Sequence, residues 1–162
     1  MKHAHPLADT AIARWLMSSS QVPSIAREDW AYGRPALLRT GVAFDAVKMP
    51  RELVHAAAAS SDPATVSAAL AEVLGGPVIC QPGTWYYALV PPGTCAAWRS
   101  PLAVVRGEGG WLGIPREDQT EPHAVATYWT VPVSQVGGLC DPDAVAELLR
   151  VGRERLDPTT RP

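Results

Sequence analysis

Along the chain, apolar residues keep two rhythms, a helical one of three to four residues and a strand-like one of two, and the rhythm changes at proline, glycine and serine. Between Leu7 and Met17, the positions Ala8, Ile12, Trp15 and Leu16 fall at helical spacing, and Ser18-Ser19-Ser20 ends the run. This predicts a short N-terminal helix. Gln21 to Pro35 holds Pro23, Gly33 and Pro35 and reads as a loop, with Trp30 and Tyr32 as its anchors to the body. Ala36 to Arg39 and Val42 to Val47 read as two short strands broken at Gly41.

Pro50 suits the first position of a helix running through Ala59, because the amide donor that proline lacks is one the first helical turn cannot pair. Asp62-Pro63 and Asp141-Pro142 repeat a stronger form of that signal, with aspartate as N-cap and proline next. Gly75-Gly76 closes the first of these two helices. In the second, Val145, Leu148, Leu149 and Gly152 share a face. Strands are predicted at Val78 to Gln81, Trp85 to Val90, Leu102 to Arg106, Trp111 to Ile114 and Ala126 to Val131. Glu108-Gly109-Gly110 reads as the hairpin turn joining the third and fourth, since glycine takes positive φ without steric cost. Strands, two helices, a run of antiparallel strands and a last helix predict an α+β fold with a mostly antiparallel central sheet and flanking helices.

At 162 residues, the length suits one domain over 1–156 with a flexible tail at 157–162. A formal net charge of −2 means that no global positive field holds a nucleic-acid backbone, so any such binding must come from a local patch. Cys80, Cys95 and Cys140 are widely spaced and form no Cys-x-x-Cys pair. They read as small buried hydrophobes in a reducing compartment rather than as a zinc site or disulfide framework. No window approaches the roughly 20 apolar residues of a membrane span, and the N-terminal segment lacks the apolar core of a signal peptide. The expectation is a cytoplasmic protein without a membrane partner.

Two segments carry the candidate chemistry. In Val104-Val105-Arg106-Gly107-Glu108-Gly109-Gly110-Trp111-Leu112-Gly113-Ile114-Pro115, an arginine opens a glycine-rich turn between strands, and Gly83-Thr84-Trp85-Tyr86-Tyr87 begins a strand with consecutive aromatics. Together they resemble the strand pair of the primase-polymerase family (the bifunctional DNA primase/polymerase N-terminal domain). Arg106, Gly107, Gly109, Gly110, Trp111 and Pro115 fit its frame. Val104 or Val105 stands where that family has a metal-binding aspartate, and Thr84 or Trp85 stands at its phosphate-contacting histidine. In Val42-Ala43-Phe44-Asp45-Ala46-Val47, the resemblance puts Asp45 at the first of two metal-binding acids, while Val47 occupies the second position. It thus implies a polymerase-type palm whose magnesium or manganese ligands are mostly gone. Two metals normally serve this transfer, and losing one ligand costs orders of magnitude in rate. The implied state is a catalytically lapsed primase-polymerase-like domain acting as a nucleic-acid- or nucleotide-binding accessory protein, with no cofactor expected and Mg or Mn needed only if catalysis survives.

The residues themselves leave several readings open. Trp85 and Trp111 can stack on bases, and Arg106 and Arg116 can grip phosphate, which would suit single-stranded DNA, RNA or a nucleotide. Trp85 and Tyr87 equally alternate with Tyr86 across a half-buried strand, and Arg106 equally forms a surface ion pair. Asp45 is either a metal ligand, with Glu108 from the turn as a stand-in partner, or an acceptor for a neighbouring turn. A surviving nucleotidyltransferase would need Asp45, Glu108 and Asp118 to converge. The other alternative is a protein-interaction or regulatory domain using Trp30, Tyr32 and Trp98 from Pro/Gly-rich loops. His55 and Glu52 read as a solvated helix face, and His123 as a loop residue. No serine elbow or phosphate loop is present.

Overall fold

The computed structural model of the protein describes residues 10–157. Its elements in chain order are α1 (Ala11–Met17), α2 (Pro23–Ala31), β1 (Ala36–Arg39), β2 (Asp45–Pro50), α3 (Arg51–Ala58), α4 (Pro63–Leu74), β3 (Val78–Gln81), β4 (Trp85–Val90), α5 (Thr94–Ala97), β5 (Val104–Arg106), β6 (Trp111–Ile114), β7 (Tyr128–Val131) and α6 (Pro142–Leu156). The main sheet has the order β5-β2-β4-β3-β7, with every neighbour antiparallel. β1 and β6 form a separate antiparallel ribbon, pairing Ala36 with Ile114 and Arg39 with Trp111. The fold is α+β, as its element order predicts.

Period-two alternation in the main sheet divides the interior into two cores. On one face, Val47, Met49, Val78, Cys80, Tyr86, Ala88 and Val90 pack with Leu53, Val66, Leu70 and Leu149 of α3, α4 and α6. On the other, Ala46, Ile79, Leu89 and Trp129 pack with Leu16, Trp30, Leu38 and Ile114 of α1, α2 and the ribbon. Val145, Leu148, Leu149 and Gly152 of α6 are all buried. At Gly152 the helix comes so close to α3 that an added Cβ would sit 2.1 Å from the Leu53 carbonyl oxygen. Asp62 and Asp141 cap α4 and α6 through the amides of Thr65 and Asp143, each cap stabilising its helix by about 1 kcal/mol. No described helix is long and apolar enough to cross a membrane.

Several expectations need correction. The supposed loop at Gln21 to Pro35 contains α2, whose first residue is Pro23, a position where proline costs no hydrogen bond. Trp30 is its buried anchor, donating from Nε1 to the Ile114 carbonyl at 2.9 Å, whereas Tyr32 is exposed. The second strand begins at Asp45 rather than Val42, because Gly41, at φ +84°, starts a turn closed by its own amide on the Phe44 carbonyl. Pro50 ends that strand and caps α3 instead of opening it. The first helix starts at Ala11 rather than Leu7, with Thr10 extended as its N-cap and its hydroxyl accepting from the Ala13 amide. Leu7 to Asp9, and the tail expected beyond Leu156 apart from Asp157, lie outside the described residues.

The glycine-rich turn is not a hairpin. β5 pairs with β2 and β6 pairs with β1, so the chain changes layers between them. A clamp from Thr40 holds the turn: its hydroxyl donates to the Gly107 carbonyl at 2.6 Å, and its amide donates to the Gly110 carbonyl at 3.0 Å. A Cβ on Gly110 would lie 2.6 Å from that hydroxyl oxygen, so a side chain there would push on the clamp. A short helix, α5, also follows Pro91-Pro92-Gly93, where only a turn was expected.

Candidate functional site

The antiparallel register of β5, β2 and β4 sets Ala46 opposite Arg106, Lys48 opposite both Val104 and Tyr87, and Pro50 opposite Trp85. Alternation therefore gathers Lys48, Trp85, Tyr87 and Arg106 on the face of the sheet that also carries Ala46. Lys48 Nζ lies 4.1 Å from the centroid of the Trp85 ring, and Arg106 Cζ lies 5.2 Å from that of Tyr87. Each such pair is worth about 0.5–1 kcal/mol at a partly exposed site. That is enough to orient a cation while leaving its N–H donors available.

The surroundings fix this group further. Arg106 Nη1 donates to the Trp111 carbonyl at 3.1 Å, tying the main sheet to the edge of the ribbon. The Tyr87 hydroxyl donates to Gln81 Oε1 at 3.2 Å. Burial pushes the Tyr87 phenol above its ordinary pKa, while the neighbouring Arg106 charge pulls it partly back. Tyr87 is buried, whereas Lys48, Trp85 and Arg106 are half-buried, so their upper edges reach solvent.

Asp45 behaves differently. Along β2 it shares the face of Val47 and Met49, opposite to that of Ala46 and Arg106. It is fully buried, and Oδ2 accepts a 2.9 Å hydrogen bond from the amide of Cys95 in α5. Oδ1 has no partner among the described residues. A Cβ on Gly107 would lie 3.3 Å from Oδ2, so the glycine makes room for this carboxylate. Through Oδ2, Asp45 acts as an acceptor for a neighbouring backbone amide, that of the short helix α5 rather than of a turn.

Glu108 is exposed in the turn, and its backbone packs against Gly41. Among the described residues, no group of three or more His, Cys, Asp or Glu side chains stands close enough to hold a metal ion. Trp111 is 39% exposed and meets the group through its carbonyl. Arg116 is placed elsewhere, pairing with Asp118 at 2.9 Å and lining a separate cavity with Gly33 and Gln119. Trp85 and Arg106 are therefore brought onto one surface, with Trp111 at its rim and Arg116 outside it. Arg106 makes the Trp111 contact in place of the ion pair weighed for it.

Lys48 and Tyr87 belong to the group although the sequence did not mark Lys48. Ending the strand at Val47 hid the lysine one residue beyond it. Glu52 is exposed, as a solvated helix face implies, but His55 is half-buried: its Nε2 lies 2.8 Å from the Tyr86 hydroxyl, and burial, assisted by Arg51, lowers its pKa. His123 Nδ1 accepts from the amides of Val125 and Ala126, as a loop residue does. Cys80 and Cys140 are buried hydrophobes, but Cys95 is exposed. No protein-family model matches the chain, nor does any curated protein or solved structure.

Proposed function

We propose that the Lys48, Trp85, Tyr87 and Arg106 face binds single-stranded nucleic acid or a nucleotide, in a catalytically lapsed, cytoplasmic relative of the primase-polymerases that serves as an accessory protein. The observation that carries this reading is the pairing of two cations with two aromatic rings in adjacent rows of one sheet face. Trp85 and Tyr87 are two residues apart, about 6.6 Å along the strand. Stacking needs an accessible ring face and phosphate binding needs unspent N–H donors; half-buried Trp85, with Lys48 over one face, offers the ring, and Lys48 and Arg106 offer the donors. A lapsed rather than active site is favoured because Asp45 turns away from this face into the opposite core. Anisotropy titrations with labelled single-stranded DNA, RNA and nucleotides at low salt test the reading. Absence of any salt-sensitive binding would remove it.

The protein-interaction alternative draws support from another surface. Val22, Ile25 and Leu37 are exposed and line a cavity of about 240 Å³ with Trp111, between α2 and the ribbon. Trp30, once a candidate for such a surface, is buried. Light scattering and pull-down separate the two readings, since only the second requires a protein partner.

A further inference from the structure

A cavity of about 380 Å³ lies between α5, the segment after it and the first turn of α6. Its volume falls in the range of sites that enclose a small ligand. Trp98, Pro142 and Ala146 give it an apolar wall, and the indole is fixed because Nε1 donates to the Ala103 carbonyl at 3.2 Å. Three polar groups on that wall have bonding capacity to spare. The Arg99 guanidinium makes only two long contacts, of 3.4 Å, to the carbonyls of Ala96 and Trp98. Among the described residues, neither Arg99 nor Asp143 has an ion-pair partner. Ser100 Oγ accepts from the Leu102 amide, which leaves its own hydrogen to be donated.

An unpaired cation, an unpaired carboxylate and a spare hydroxyl donor on one apolar cavity select against most simple ligands. Arg99 and Asp143 are exposed and hydrated until a ligand reaches them, so an anion gains Arg99 but approaches Asp143, a cation the reverse, and a neutral molecule gains neither charged bond. A molecule carrying both charges on an apolar body satisfies all three groups. Its carboxylate takes the guanidinium and the Ser100 hydroxyl, its ammonium takes Asp143, and its side chain packs on Trp98. We propose that this cavity binds a small zwitterion with an apolar body, a hydrophobic amino acid or a dipeptide. This site is separate from the Lys48 and Arg106 face and does not depend on the reading given to it.

Titration of the isotope-labelled full chain, followed through the Trp98 indole and the Ser100 and Asp143 amide signals, tests the assignment. The probes are L-phenylalanine, L-leucine and leucyl-leucine, with phenylalanine methyl ester and N-acetyl-phenylalanine as probes each lacking one charge. The zwitterions are expected to shift these signals saturably, and the two blocked forms to bind at least tenfold more weakly. Arg99→Gln should remove the discrimination against the ester, and Asp143→Asn the discrimination against the acetylated form. Both side chains are on the surface, so both variants should keep the parent's circular dichroism. Tighter binding of the free amino acids or of the dipeptide supports the proposal and identifies the body. No saturable shift at millimolar probe, or equal binding of charged and blocked forms, would overturn it.

Discussion

Asp45 and Arg106 stand on neighbouring paired strands, one register step apart, yet their side chains face opposite sides of the sheet. In a palm that gripped metals beside a phosphate-binding arginine, acid and arginine would share a cleft. Here one carboxylate oxygen is spent on the amide of Cys95, while the arginine is held over Tyr87 with one N–H on the Trp111 carbonyl and, among the described residues, its other donors free for a ligand.

If the Arg106 face binds single strands, affinity should fall with salt in proportion to the phosphates neutralised. Two cations give a slope of log affinity against log salt of about −1.4, and Lys48→Ala or Arg106→Ala should each reduce it by about 0.7. Trp85→Ala should weaken binding by about 1–3 kcal/mol without changing the slope, because stacking carries no charge. Anisotropy at several salt concentrations separates the two effects. Arg116→Ala should leave both quantities unchanged, since Arg116 lies at another cavity.

Asp45→Ala should destabilise the fold, because the Cys95 amide would lose its acceptor at a buried site. The expected loss is about 1–3 kcal/mol. For a domain of this size, that is about 2–4 °C in Tm per kcal/mol. Asp45→Asn, which retains an acceptor oxygen, should lose less. Thermal melts with and without millimolar magnesium or manganese complete the test; a metal-dependent rise in Tm that Asp45→Ala abolishes would return Asp45 to the role of ligand.

Gly152→Ala brings two effects into opposition. Alanine improves helix propensity by about 1 kcal/mol. Its Cβ, however, would lie 2.1 Å from the Leu53 carbonyl oxygen, and forcing α3 and α6 apart costs about 1–3 kcal/mol or more. At such a distance backbone must move, so the clash prevails and denaturant midpoints should fall.

His55 should make stability depend on pH. Burial lowers its folded pKa below the unfolded value of 6.5, so below that pH the unfolded chain binds more protons. Its contribution is present above about pH 6.5 and is lost as pH falls through the lowered folded value. His55→Gln should flatten this part of the profile, measured by urea unfolding from pH 7.5 to 5. Facing His55 are Tyr86, whose phenol burial pushes up, and Arg51 and Glu52 on its own helix.

Much of the fold was legible because its signals are local. The strands Ala36–Arg39, Val78–Gln81, Trp85–Val90 and Trp111–Ile114 match their predicted bounds, since each is a short run stopped by proline, glycine or a change of rhythm. Asp62-Pro63 and Asp141-Pro142 marked their helices because capping uses only neighbouring atoms. α2 was missed because proline signals both a break and a first turn, and burial of Trp30 against the ribbon decides between them.

The sequence by itself determined the α+β class, the alternation that sends Tyr86 and Tyr87 into different cores, and the glycines of the Thr40-clamped turn. Tertiary structure alone decided which strands meet across that turn. β5 and β6 are adjacent in the chain but belong to different sheets, because pairing is set by where β1 and β2 bury their apolar faces. It alone placed Lys48 over Trp85 and turned Asp45 inward. Those outcomes follow from the register between β2 and β4, and register is a relation between distant segments that neither segment encodes alone.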